Sequence, residues 1–382
     1  MILTNKHLKI AHFGHKRMPS REGGIEIVVE ELTTRMAQLG HEVTCINRRG
    51  HHVSGTEFDG ERLDEYKGVK IISVPTMEKR GFAALSSAFF ASIKTAFGTY
   101  VIVHIHAEGP AAFCWLPKFM KKRVICTCHG IDWRRPKWYK TLGGKFIKFG
   151  EKMMALYADE IIVLSKDTQQ YFINEYGRET VYIPNGVNKP VFFPTNLIYK
   201  KWNLKKDTYI LILARLTKEK NIHLLIEIYK NLNTDKKLVV AGGSSDSEEY
   251  VNQLYELADN NPNIIFTGFV HGQVLEELYS NAYIYCLPSE LEGMPLSLLE
   301  AMSYGNCCLV SDIPECVEVV EDKAVVFRLD KDNDFRNKLQ RLCDDENLVK
   351  KYKTCSAEFI CSKYNWNHIV EQTLMCYEKL KD

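Results

Sequence analysis

The alternation of short apolar runs with amphipathic stretches constrains this chain more than any other feature of its sequence. Ile10 to Phe13 precedes a helical pattern from Ile25 to Leu39 closed by Gly40; Val43 to Asn47 follows, and the series runs on to Ile161 to Leu164. Runs this short, spaced by helical patterns, build βαβ units and a parallel sheet. A second series begins after Pro184-Asn185-Gly186 and the Pro190 and Pro194 punctuation. Its strands are expected near Ile210 to Leu213, Leu238 to Ala241, Ile264 to Thr267, Ile284 to Leu287, Cys307 to Val310 and Val325 to Phe327. The expected fold is therefore α/β, with two doubly wound Rossmann-like domains facing across a cleft, residues 1–187 and 188–365, and a linker around residues 185 to 200. A length of 382 residues suits two or three domains at roughly 150 residues each.

Composition narrows the function classes. Hydrophobic residues at 45% and charged residues at 26% describe a soluble globular chain. The 50 Lys and Arg nearly cancel the 48 Asp and Glu, so no molecule-wide field gathers nucleic acid, and no nucleic-acid partner is expected. Lys6, His7 and Lys9 stand just before the first apolar run, which argues against a signal peptide and for a cytoplasmic location. The most apolar stretch, Gly81 to His106, is interrupted by Lys94 and does not read as a membrane span. The 12 cysteines form no Cys-x-x-Cys pair, and several lie in strand-like runs, so they read as reduced, buried thiols. Cys126, Cys128 and His129 lack a fourth zinc ligand at usable spacing, and no metal is expected. Neither a Gly-x-Gly-x-x-Gly fingerprint nor a Walker A run occurs.

Ligands of doubly wound sheets bind outside the carboxyl ends of strands. After Ile284 to Leu287 the chain reads Ser289-Glu290-Leu291-Glu292-Gly293-Met294-Pro295-Leu296-Ser297-Leu298-Leu299-Glu300-Ala301-Met302. Pro295 suits a first helical turn, and the free amides around Met294 and Leu296 make an anion site suited to a diphosphate. Glu292 precedes this helix and Glu300 lies inside it; the eight-residue spacing alone is weak. After Ile210 to Leu213 comes Ala214-Arg215-Leu216-Thr217-Lys218-Glu219-Lys220-Asn221, where an Arg fork and a Lys point charge suit a diphosphate. Alone, this reads more readily as a solvated basic loop. Arg21-Glu22-Gly23-Gly24-Ile25-Glu26 opens a helix near the N-terminus, and His129-Gly130-Ile131-Asp132 follows the strand Arg123 to Cys128. A Gly pair is commonly just a turn, and a single His is seldom diagnostic.

Taken together and in this order, the strings resemble the retaining GT-B glycosyltransferases of family four, in particular bacterial surface-polysaccharide enzymes. The resemblance covers nearly the whole chain. It implies that Glu292 binds hydroxyls of the donor sugar, Glu300 the ribose of the nucleotide, and Arg215 and Lys220 the donor phosphates. Gly293, Met294, Pro295 and Leu296 form the helix start on the diphosphate, and Val270, after Thr267-Gly268-Phe269, meets the base. In the N-terminal domain, Gly23 and Gly24 face the donor phosphate and the acceptor. His129 lies beside the donor sugar and ranks with Glu292 as catalytic, while Glu26 and Asp132 contact the acceptor. Trp366 to Leu380 resembles the final helix that crosses back to the first domain. The implied reaction moves a hexose-type sugar from a nucleotide-diphosphate co-substrate to a glycan or lipid-linked sugar acceptor. It retains configuration by front-side attack, without a protein nucleophile, metal or other cofactor. A sugar-nucleotide epimerase of similar build and a non-catalytic sugar-nucleotide-binding partner are the rivals. Asp330 to Asp334 lacks the later Gly and Glu of a calcium loop and reads as a solvated turn.

One further stretch stands out. Lys118 to Lys152 holds eleven Lys and Arg against Asp132 and Glu151, interleaved with Phe119, Trp133, Trp138, Tyr139, Phe146 and Phe149. Basic clusters are drawn to anionic lipid and Trp and Tyr to the headgroup level. The expectation is a peripheral position on the inner membrane face; a solvated helix face over core aromatics remains the plainer alternative.

Overall fold

The structure, a computed structural model, describes residues 7–50, 63–77, 82–243, 248–331 and 333–378. The expectation of no leader peptide over Met1 to Lys9 thus falls largely outside the described residues, as do Gly81, Asp332 and Leu380. Two compact units divide the chain, residues 1–185 with 366–382 and residues 186–365. The division lies two residues earlier than the expected 187/188 boundary, because the amide of Val187 donates to the Tyr364 carbonyl and so joins the second unit.

In the first unit, eight strands follow in chain order: β1 Lys9–Phe13, β2 Glu42–Arg48, β3 Glu65–Tyr66, β4 Val69–Val74, β5 Ile102–His106, β6 Arg123–Cys128, β7 Glu160–Val163 and β8 Val181–Tyr182. They form one sheet in the order β3-β4-β2-β1-β5-β6-β7-β8, parallel except for the β3–β4 pair. Helices cover both faces, so the inner strands are continuous apolar runs rather than alternating ones. Ala11, Phe13, Val103, Ile105, Cys126 and Phe172 pack into one core. Across the sheet the helix Trp366–Glu378 buries Trp366, Ile369, Val370, Leu374 and Tyr377, and Arg123 donates to its Cys376 carbonyl at 2.8 Å.

The chain reverses its direction of winding at β1, which lies between β2 and β5, and ligands of doubly wound sheets gather at that switch point. Gly14, directly after β1, has φ +110°, and a Cβ there would lie 2.1 Å from the carbonyl oxygen of His106. Only glycine lets the ends of β1 and β5 meet so closely.

The second unit repeats the plan with β9 Tyr209–Leu213, β10 Lys237–Ala241, β11 Ile264–Gly268, β12 Ile284–Leu287, β13 Cys307–Ser311 and β14 Val325–Phe327, all parallel, in the order β11-β10-β9-β12-β13-β14. Its switch point lies at β9 and β12. Gly242, at φ +137°, answers to Gly14: a Cβ would stand 1.9 Å from the Ala214 carbonyl oxygen at the end of β9. All 12 cysteines are free, and burial raises the thiols of Cys126, Cys128, Cys307 and Cys308. Among the described residues no helix is long and apolar enough to cross a membrane.

Candidate active site

At the second unit's switch point, the loop after β9 tightens into a short 3-10 turn, Lys218–Lys220, and Asn221 then takes a left-handed φ of +50° before the helix Ile222–Lys230. Asn tolerates that conformation better than most residues. Its side-chain amide donates to the Pro288 carbonyl at 3.1 Å, and the Glu290 amide donates to the Glu219 carbonyl at 3.0 Å. These bonds hold the loop after β9 against the loop after β12. As a result Lys220 Nζ donates to Glu292 Oε1 at 2.5 Å, with the two residues only 9% and 7% exposed. Arg215 is half-buried beside this pair in sequence, and among the described residues it makes no ion pair or side-chain hydrogen bond. One cation at the switch point is thus neutralised by a carboxylate while the other is uncommitted.

Gly293, Met294 and Pro295 lead into the helix Leu296–Ser303. Pro295 is not in the first helical turn, as the sequence suggests, but is the N-cap at ψ 104°, and its side chain makes no cap hydrogen bond. Proline has no side-chain oxygen with which to cap, so the Leu296 and Ser297 amides stay directed out of the helix start, where the dipole favours an anion. Glu300 lies one turn in. Its Oε2 accepts from Tyr279 at 3.0 Å, and burial holds the Tyr279 hydroxyl protonated, well above its ordinary pKa. Val270 follows β11, half-buried, ahead of the helix Gly272–Asn281.

In the first unit, Gly23 is the N-cap of the helix Gly24–Gln38, in extended backbone. Its glycine serves by lacking a Cβ, which would come within 2.7 Å of Glu26 Oε2. Glu26 is buried, and its Oε1 accepts from the Lys16 amide at 2.9 Å, so this carboxylate also fixes the loop after β1. Asp132 accepts from Arg135 Nε at 2.7 Å and its amide donates to Glu108 Oε1 at 3.0 Å. His129 is half-buried after β6; its Nε2 is 3.0 Å from His106 Nδ1, and burial lowers its pKa to about 4 against the opposing charge of Asp132. It is a neutral imidazole at neutral pH.

Sequence reasoning singled out neither the buried His12, His104 and His106 nor Glu108, whose carboxyl burial raises well above its ordinary range. The available signal was His at alternate positions 104 and 106 of an apolar strand, which places both on one face.

Two doubly wound parallel sheets, each with ligand-type residues at its switch point, define a chain of the GT-B class. The profile of glycosyltransferase family 4 matches residues 22–189 and that of the glycosyl transferases group 1 matches residues 195–358. An uncharacterized glycosyltransferase of Methanocaldococcus jannaschii is 23% identical over 401 residues, 97% of this chain and 98% of that protein. The N,N'-diacetylbacillosaminyl-diphospho-undecaprenol alpha-1,3-N-acetylgalactosaminyltransferase of Campylobacter jejuni is 24% identical, over 60% of this chain and 62% of its own. The Anabaena HepE structure in complex with UDP-glucose shares the fold with a TM-score of 0.80 at 15% identity, covering 98% of this chain and all of that one. The chain belongs to the group 1 glycosyltransferases of family 4 and is a glycosyltransferase.

Proposed function

We propose that this enzyme moves a hexose-type sugar from a nucleotide diphosphate to a glycan or lipid-linked sugar acceptor, with retention of configuration and without a resident metal, in building a cell-surface polysaccharide. The observation that carries the reading is the second unit's switch point. An uncommitted Arg215 guanidinium, the Lys220 ammonium and the amides at Leu296 supply positive charge to a diphosphate. The same groups stabilise the charge that grows on it as the glycosidic bond breaks. Glu292 then exchanges part of its contact with Lys220 for the donor sugar's hydroxyls, and Glu300 takes the ribose. The leaving phosphate accepts the acceptor's proton, so no protein base is needed. The lipid-linked acceptor in the Campylobacter relative's name and the UDP-glucose of the Anabaena complex support the substrate classes.

The test is incubation with labelled UDP-, GDP-, ADP- or dTDP-sugars and a lipid-linked glycan. Labelled acceptor and free nucleoside diphosphate support transfer; an epimerised donor without free nucleotide favours the epimerase.

A peripheral place on the inner membrane face belongs to the same proposal. Within 118–152, Leu142 is 84% and Phe119 65% exposed, while Lys137 and Lys140 lie over the rings of Trp138 and Tyr139. Lys118, Arg123, Arg135 and Lys148 have acidic partners that offset part of this stretch's charge. Sedimentation with anionic vesicles at low salt, lost on neutralising Arg134, Lys137 and Lys140, supports it; no binding at low salt contradicts it.

A further inference from the structure

His12 of β1 pairs in register with His104 of β5, and His106 follows two residues along on the same face. All three are fully buried. Their ring nitrogens lie within 4.8 Å of one another, a spacing that invites a metal. His104, however, spends both nitrogens on hydroxyls, Nδ1 at 2.6 Å from Tyr377 and Nε2 at 2.7 Å from Thr127. That leaves two imidazoles, fewer than the three protein ligands of a stable buried zinc site. These two instead begin a hydrogen-bonded chain. His12 Nδ1 is 3.1 Å from His106 Nε2, and His106 Nδ1 is 3.0 Å from His129 Nε2. Burial keeps the rings neutral, lowering His12 to about 3 and His129 to about 4, with His106 well below its ordinary value.

A neutral imidazole has one N–H and one bare nitrogen. In a chain that joins Nδ1 to Nε2 twice, every ring must therefore carry its proton on the same nitrogen. The far end chooses which. His12 Nε2 is buried and has no hydrogen-bond partner among the described residues. A proton there would be an orphaned buried donor, the rarer and costlier defect; a bare lone pair is the better tolerated one.

We propose that His12, through His106, locks His129 as the Nδ1–H tautomer, so that His129 offers the bound sugar a hydrogen-bond donor rather than a base. His12 and His106 are then positioning residues for the transfer. The contact with sugar rests on the glycosyltransferase mechanism proposed above; the tautomer does not.

Ring-15N histidine labelling and two-bond 1H–15N correlation spectra of the ligand-free full chain at pH 7 read the tautomer directly. The expected spectrum has His129 protonated on Nδ1 and bare on Nε2. In His106→Leu the lock is lost and an Nε2–H form appears. In His106→Asn, whose amide N–H stands in for Nδ1–H, the Nδ1–H form persists. Transfer follows the same order, kcat falling roughly 10-fold or more in the Leu variant with the donor KM little changed, and recovering in the Asn variant. An Nε2–H His129 in the unsubstituted protein overturns the proposal even where no variant folds, and so does an unaltered tautomer in His106→Leu. A wild-type Nδ1–H spectrum without transfer from any donor leaves the tautomer standing and sinks the transfer reading instead.

Discussion

Lys220 and Glu292, 72 residues apart in sequence, meet at 2.5 Å in a nearly dry site. From sequence alone, Glu292→Ala is expected to stop transfer and leave the fold intact. The structure corrects the second half, because removing one member of a buried pair strands the other charge at a cost of about 3 to 5 kcal/mol. Urea unfolding of Glu292→Ala is expected to show a loss of that order. Glu292→Gln keeps the shape and a hydrogen-bond acceptor and loses less, while transfer fails in both; equal stability of Glu292→Ala and wild type contradicts the buried pair. Glu108 makes the opposite case. Its carboxyl is fully buried, and burial together with Asp132 raises its pKa well above 4.5. A raised carboxyl pKa contributes stability below the unfolded value that is lost as pH rises toward the folded one. Glu108→Gln removes that ionisation cost, so it is expected to be more stable than wild type at pH 7 and to lose that advantage near pH 4. Unfolding at both pH values checks it, and a variant less stable at pH 7 contradicts it.

Among the elements, β1 and β5 carry the buried His12, His104 and His106, while the buried His15 and the half-buried His129 lie just after β1 and β6, and their acid sensitivity follows. The folded pKa values of His12, His15 and His129, about 3, 4 and 4, lie below the ordinary 6.5, with desolvation as the largest cause. A lowered histidine pKa gives stability that is fully present above pH 6.5 and lost as pH falls toward 4, because the unfolded chain takes up protons first. Each such group costs about 2 kcal/mol by pH 5. The first unit is therefore expected to unfold at much lower urea at pH 5 than at pH 7; a flat response contradicts neutral buried rings. These same elements show what a sequence makes legible. The central strands could be read because burial on both faces makes them unbroken apolar runs, and Ile284–Leu287 and Val325–Phe327 fall where expected. The two-residue strands Glu65–Tyr66 and Val181–Tyr182 carry too little pattern to find. Pro295 was placed one position too far into its helix, since proline fits both the cap and the first turn. The histidine chain was invisible for a different reason. His12 and His106 are 94 residues apart and meet only because β1 and β5 pair in register.

At the scale of the molecule, family membership follows from the two profiles that together run from residue 22 to residue 358. The proposed chemistry needs no ion, since Arg215, Lys220 and the Leu296 helix start supply the charge that a metal would. Transfer is accordingly expected to survive excess EDTA and to keep the donor's anomeric configuration, read from the anomeric proton coupling of the product. Rate lost in EDTA and restored by Mg²⁺ or Mn²⁺ contradicts the first part, and an inverted coupling the second. The central claim is that the second unit's switch point holds a nucleoside diphosphate through Arg215. Thermal unfolding with UDP, GDP, ADP and dTDP, for the wild type and Arg215→Ala, tests it most directly, because a ligand that binds the native state stabilises it by RT ln(1 + [L]/Kd). The account predicts that at least one nucleotide raises the wild-type midpoint, while Arg215→Ala, unchanged in its own midpoint, loses most of the shift. No shift with any of the four, or an equal shift in the variant, contradicts it.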